Sequence, residues 1–238
     1  MNTVAAYQQL KELRAPAIET RSAAALLDVS ADAVDKYLRQ LRDAGLIVHL
    51  RKGLWLLDPQ VPPAVIAPYL TAPYPAYISL WSALAHHDMI EQIPARTEVA
   101  SLSRTRTIST PAGVFAVHRL APELFGGYVS DDQAGYMATP EKALFDLIYT
   151  RVPRSSGIRL PELTLPDTFD TDLLRYWVQR IPRARLRTMV AAGVDSALSQ
   201  AAHLAASDWP DAAGAVGRAR MKVPDRSLAT RDWRAQRR

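Results

Sequence analysis

The chain has 238 residues, 48% hydrophobic and 22% charged, a globular composition with enough apolar material for a buried core and room for two domains. It has no cysteine, which excludes a disulfide framework and thiolate metal sites, and no stretch approaches the ~20 apolar residues of a membrane span. The net charge of +5 makes an anionic partner plausible.

Thr3 to Arg14 reads as a first helix, with Thr3 as its cap, Ala6, Leu10 and Leu13 on one face, and Pro16 beyond its end. A second helix is expected over Arg21–Leu27, capped by Thr20 and carrying Ala24 and Leu27 inward. Asp28-Val29-Ser30 is a tight turn. Ser30 caps a third helix, Ala31–Ala44, whose core stripe is Val34, Leu38 and Leu41, and Gly45 supplies a left-handed stop. Two apolar runs, Leu46–Leu50 and Leu54–Leu57, flank Arg51-Lys52-Gly53 as a β-hairpin. This order is that of a winged helix-turn-helix.

Asp58 to Pro63 has the composition of a linker, and an irregular stretch with Tyr69, Tyr74 and Tyr77 follows. A helix is expected over Ile78–Met89, strands over Thr97–Ser103, Thr105–Ser109 and Val114–Leu120, and a helix opened by Thr139-Pro140 and running to about Tyr149. After a loop from Val152 to Gly157 come two helices, Thr171–Ile181 and Arg183–Ala206. The expected fold class is α+β: a winged helix-turn-helix over residues 1–58, a mixed α/β domain with late helices over 59–206, and a basic extension over 207–238, loosely attached because it holds few large apolar residues.

A helix that reads DNA needs one face on the protein core and another free for the major groove. The third helix offers Lys36, Arg39 and Arg42 at every third position, small Ala31 and Ala33 at its leading end, and Ser30, Asp32 and Asp35 as groups that could reach base edges. Arg51 and Lys52 at the hairpin tip and Arg21 on the second helix suit phosphates. The competing reading is that Asp32–Lys36 and Asp35–Arg39 are solvated i,i+4 ion pairs. The late cluster Arg175, Arg180, Arg183, Arg185 and Arg187 is either a solvated face or a second anionic contact, to flanking DNA or an acidic partner.

His86, His87, Asp88 and Glu91 have metal-ligand types, but adjacent helical residues point about 100° apart, and a helix-end pair facing the C-terminal dipole is the simpler account. Asp131, Asp132 and Glu141 could hold Mg²⁺, but solvated loop charges and a helix N-terminal acid are the simpler account. Phosphate-loop, dinucleotide and nucleophile-elbow motifs are absent. No catalytic residue, metal or cofactor is expected, and the tryptophans Trp81, Trp177 and Trp209 are read as core.

Leu46 to Leu57, Tyr77-Ile78-Ser79-Leu80-Trp81-Ser82-Ala83-Leu84-Ala85-His86-His87, and Ala138-Thr139-Pro140-Glu141-Lys142-Ala143-Leu144-Phe145-Asp146 together resemble segments of AbiEi-type antitoxins of type IV toxin–antitoxin phage-defence systems. The resemblance spans roughly residues 20–200. It implies a non-catalytic protein whose winged helix binds inverted repeats in its own promoter and whose second domain counters a nucleotidyltransferase toxin encoded beside it; apart from the resemblance, a cytoplasmic location and, from the two-fold symmetry of palindromic DNA, a homodimer on DNA are expected. The DNA-contacting face it implies maps to Ser30, Lys36, Arg39, Arg42, Arg51 and Lys52. The alternatives are a stand-alone transcriptional regulator and, from another class, a metal-dependent enzyme with a winged-helix targeting module.

Overall fold

Three helices open the chain: α1 (Thr3–Glu12), α2 (Thr20–Leu27) and α3 (Ala31–Asp43), with a short strand, β1 (Ala17–Glu19), between the first two. The computed structural model describes residues 2–131, 135–152 and 162–207, so Trp209 with the rest of the expected extension past Ser207, and the expected loop past Val152, lie outside the described residues.

Two of the expected caps are corrected. Asn2 caps α1 by accepting from the Ala5 N–H at 2.8 Å, while Thr3 donates to Gln40 Oε1 at 2.5 Å and ties α1 to α3. Thr20 is the first residue of α2, and its hydroxyl accepts the indole N–H of Trp55 at 2.9 Å. Leu13, expected inward, is 42% exposed, and α1 ends one residue before it. Asp28 takes the left-handed position that closes α2, a conformation Asp tolerates better than most residues. Ser30 caps α3 as expected, accepting from Ala33 N–H at 3.3 Å. Gly45 (φ +73°) ends α3 with the paired bonds Leu46 N–H to Leu41 carbonyl and Gly45 N–H to Arg42 carbonyl.

The hairpin β2 (Val48–Arg51) and β3 (Leu54–Leu56) gains β1 as a third strand, giving the antiparallel order β1-β3-β2. Ile18, Ile47, Trp55 and Leu57 join Leu10, Val34, Leu38 and Leu41 in one core. Ala17, Leu50, Leu54 and Leu56 belong to the other, larger core. The unbroken apolar run Leu54–Leu57 is therefore a strand buried on both faces, neighbours pointing to opposite cores.

The larger core is built on a mixed six-stranded sheet in the order β6-β7-β5-β4-β9-β8. Its strands are β4 (Ala76–Ile78), β5 (Thr97–Ser101), β6 (Arg106–Thr110), β7 (Gly113–Arg119), β8 (Tyr128–Asp131) and β9 (Gly135–Ala138). Pairs β4–β9 and β5–β7 are parallel, and β4–β5, β6–β7 and β8–β9 antiparallel. The expected linker and irregular stretch are corrected here: Pro63 already opens a helix, α4 (Pro63–Thr71), and Tyr77 lies in β4. The helix expected from Ile78 starts two residues later, as α5 (Leu80–His86), because Ile78 is held in the sheet. The expected strands over 97–120 appear as β5, β6 and β7.

Thr139 caps α6 (Pro140–Arg151), with Pro140 in the first turn, as its sequence dictates. Every residue from Glu141 to Ile148 is buried, so α6 is enclosed on all sides, with α5, α7 (Thr171–Gln179) and α8 (Ala184–Ser207) packed on it. Glu141 Oε1 accepts the N–H of Asp170, the cap of α7, at 3.0 Å.

Candidate nucleic-acid interface

On α3, Val34, Leu38 and Leu41 are buried against α1, α2 and the small sheet. At about 100° per residue, Lys36 and Arg39 lie roughly 140–200° round the helix from Val34, on the side away from that core. Both are exposed, as are Asp32, Arg42 and Asp43. Ala31 at the leading end is exposed, and Ser30, spent on its cap bond, is still exposed. Arg21 stands exposed in the first turn of α2.

The charges are not equally available. Arg39 forms an ion pair with Asp35, the i,i+4 partner that the sequence offers. Arg42 places Nε and Nη2 on Asp43 Oδ1 at 2.9 and 2.8 Å. Asp32 and Lys36 form no ion pair among the described residues. Arg51, expected at a free hairpin tip, turns back and donates to the Tyr69 carbonyl of α4 at 3.5 Å. Arg106 donates to the next carbonyl, Leu70, at 3.1 Å. Two guanidiniums from different sheets thus sit at the negative end of α4, where terminal carbonyls lack helical partners. Lys52, one residue further, is exposed, and Gly53 (φ +76°) makes the turn that presents it.

The late arginines do not form one uniform patch. Arg175 is exposed on α7, and Arg183 and Arg185 are exposed at the α7–α8 junction. Arg180 donates to the Glu123 carbonyl at 2.9 Å and to Tyr176 Oη at 2.9 Å, and lies over the rings of Tyr176 and Trp177. Arg187 is partly buried and donates to the Ile181 carbonyl at 3.2 Å. Arg180 thereby ties α7 to Glu123, and Arg187 ties α8 to the connection that follows α7.

His86 and His87 close α5, and His87 Nε2 is 2.7 Å from the Ala138 carbonyl. Among the described residues, no group of three or more His, Asp or Glu side chains is placed to hold a metal ion, and no helix is long and apolar enough to cross a membrane. Asp132 lies outside the described residues.

One polar cluster was not anticipated. Lys142 and Asp146, one helical turn apart and both fully buried, form an ion pair. Asp146 Oδ2 also accepts from Tyr77 Oη at 3.0 Å and from Ser79 Oγ at 2.7 Å. The Lys142 ammonium lies 4.8–5.6 Å from the ring centroids of Trp177, Phe145 and Tyr77. Burial lowers the pKa of the ammonium and raises that of the carboxyl, and each charge partly restores the other. The two separated segments Tyr77–His87 and Ala138–Asp146 are therefore bound to each other, through Asp146 and through His87. With no measurable exposure at Lys142, Asp146 or Ser79, this cluster holds the fold and offers no substrate a path. Its one sequence signal was the Lys–Asp spacing on a helix.

Compared with known proteins, the chain matches no family model and no curated protein.

Proposed function

We propose that the chain is a sequence-specific DNA-binding transcriptional repressor, residues 1–58 acting as a winged helix-turn-helix with α3 as its recognition helix. The observation that carries this reading is α3 itself: one face packed, the opposite face exposed with Lys36 and Arg39, and an open, Ser30-capped leading end with small Ala31. The element order α1, β1, α2, α3, β2, β3 and the exposed Lys52 at the hairpin turn support it. In the free protein, Asp35 and Asp43 occupy Arg39 and Arg42. Phosphates would have to displace these exposed partners, a small cost since such pairs contribute about 0–1 kcal/mol.

As the resemblance implies, the regulated promoter is the protein's own, and the rest of the chain acts as antitoxin to a nucleotidyltransferase toxin. Titration of the purified protein against its own upstream DNA and a scrambled duplex, at two salt concentrations, tests the first part. Preference for the upstream DNA that persists at the higher salt supports a repressor. Equal binding to both duplexes, abolished by salt, removes it. Co-expression with the product of the neighbouring gene tests the second part: if that product is not a nucleotidyltransferase, or its toxicity is unaffected by this chain, the antitoxin role falls and a stand-alone regulator remains.

A further inference from the structure

We propose that Arg51 is a positioning residue: with Arg106 it clasps the C-terminal end of α4, and so fixes where the hairpin turn presents Lys52. The role of Lys52 rests on the repressor reading; the clasp does not.

The need for a clasp begins in the sequence. The last four carbonyls of an α-helix have no partner within it, and N–H groups of the residues that follow commonly meet them. Four residues beyond Tyr69 stands Pro73, which has no N–H to give. Four beyond Leu70 stands Tyr74, whose N–H is bonded to the Thr71 carbonyl at 3.1 Å. Two guanidiniums take the vacated places: Arg51 Nη2 donates to the Tyr69 carbonyl at 3.5 Å, and Arg106 Nη2 to the Leu70 carbonyl at 3.1 Å. From Pro59 to Ala85 the chain contains no Asp, Glu, Lys or Arg. What α4 offers these cations is therefore its own carbonyls and the negative end of its dipole, with no carboxylate in between.

The hairpin departs from regular pairing to aim Arg51 there. His49 lies opposite Trp55, their rings 4.4 Å apart, on the side of the smaller core. Unbroken alternation would send Arg51 to that same side, opposite Gly53. Instead the register shifts between His49 and Arg51, and Arg51 pairs with Leu54, whose side chain lies in the larger core. A bulge of this kind re-aims a side chain. Here it turns Arg51 toward α4 and leaves the next residue, Lys52, exposed and in no ion pair among the described residues. Of the two cations at the turn, one is bound to the protein and the other is presented to solvent. The clasp joins them: Arg51 holds the turn to α4, Arg106 holds the same end of α4 to the larger sheet, and Lys52 takes its place from both.

Amide hydrogen exchange on the full-length protein without DNA tests the clasp. Arg51→Met is expected to speed exchange about two- to fivefold at residues 69–74 and across the hairpin turn, the effect of losing one cation from a helix C-terminus, and to leave α6 unchanged. Unchanged exchange at residues 69–74, or a rise that includes α6, would overturn it. A double-mutant cycle in binding to the upstream DNA tests the positioning role. Arg51→Met and Arg106→Met are each expected to weaken binding by the wild type, and to change it by less than about twofold in a Lys52→Ala background, because both act through Lys52. Losses that add to that of Lys52→Ala would mean that the arginines meet phosphate themselves, and undiminished binding by Arg106→Met would mean that the larger sheet does not set the turn; either result removes the positioning role. A wild type that binds no DNA removes the repressor reading, and the exchange result then decides the clasp alone.

Discussion

Lys142 lies inside an apolar core, paired with Asp146 and set against three aromatic rings. Removing one member of such a pair strands the other, which costs about 3–5 kcal/mol, whereas removing both costs less than the two single losses added. Lys142→Met should therefore lower the unfolding free energy by about that amount, and adding Asp146→Asn should recover part of it, since the amide oxygen still accepts from Tyr77 and Ser79. Denaturant titration of the two single variants and the double reads this directly, and strict additivity would rule it out. Glu98 makes a different prediction, because its pKa is depressed below the ordinary 4.5 by His118 and Arg96. Between the folded and unfolded pKa values the unfolded chain binds more protons, so stability is present above about pH 4.5 and is lost as pH falls through the lower, folded value. Glu98→Gln should flatten that part of the acid limb in unfolding measured as a function of pH. On the proposed repressor reading, Lys52→Ala should weaken binding evenly across DNA sequences and reduce the slope of log K against log salt by about 0.9. Arg39→Ala should in addition relax preference at one base pair, and undiminished binding by both variants would count against α3 and the hairpin turn as the contact surface.

The α3 cap is the simplest of the element-scale cases. Ser30→Ala leaves the Ala33 N–H without its side-chain partner and should cost about 1 kcal/mol, with recovery in Ser30→Asp. Thermal unfolding of the three proteins checks it. α3 was legible in the sequence because its signals are local and agree: a capping serine, an apolar stripe of helical period, and a glycine stop whose paired bonds the structure shows. The same holds for α6, opened by Thr139-Pro140. What escaped was short or set by distant partners. β1 and β4 are three residues each, too few for a period, and they are strands because β3 and β5 pair with them. The proline-rich run Asp58–Pro63 looked like a linker up to the start of α4, although Pro63 sits in the first turn of that helix, where a missing N–H costs nothing. Among the site residues, exposure of Lys36 and Arg39 followed from helical spacing. The turn of Arg51 toward Tyr69 did not, because its acceptor lies on α4, a helix not foreseen there.

At the scale of the molecule, β3 joins the two cores. Trp55 and Leu57 face the helices of the N-terminal unit, and Leu54 and Leu56 face the larger sheet and its helices, with Ala17 and Leu50 beside them. The bond from Arg51 to the end of α4 crosses the same boundary. Cutting the chain after residue 58 would uncover those four apolar side chains, each at most 4% exposed in the whole protein, on one face of a three-stranded sheet. Residues 1–58 alone should therefore be markedly less stable than the same residues in the full chain, or self-associate through that face. Shared burial also couples unfolding. Leu56→Ala, a change inside the small unit, opens a cavity in the larger core and should cost about 2–5 kcal/mol. The full chain should then unfold in a single transition, lowered as a whole by Leu56→Ala, when followed by backbone circular dichroism and, in a variant with its other four tryptophans replaced by Phe, by Trp55 fluorescence. Two resolved transitions, with Leu56→Ala moving only the first, would mean that the sheet contact is too weak to join the units, and that residues 1–58 fold and act on their own.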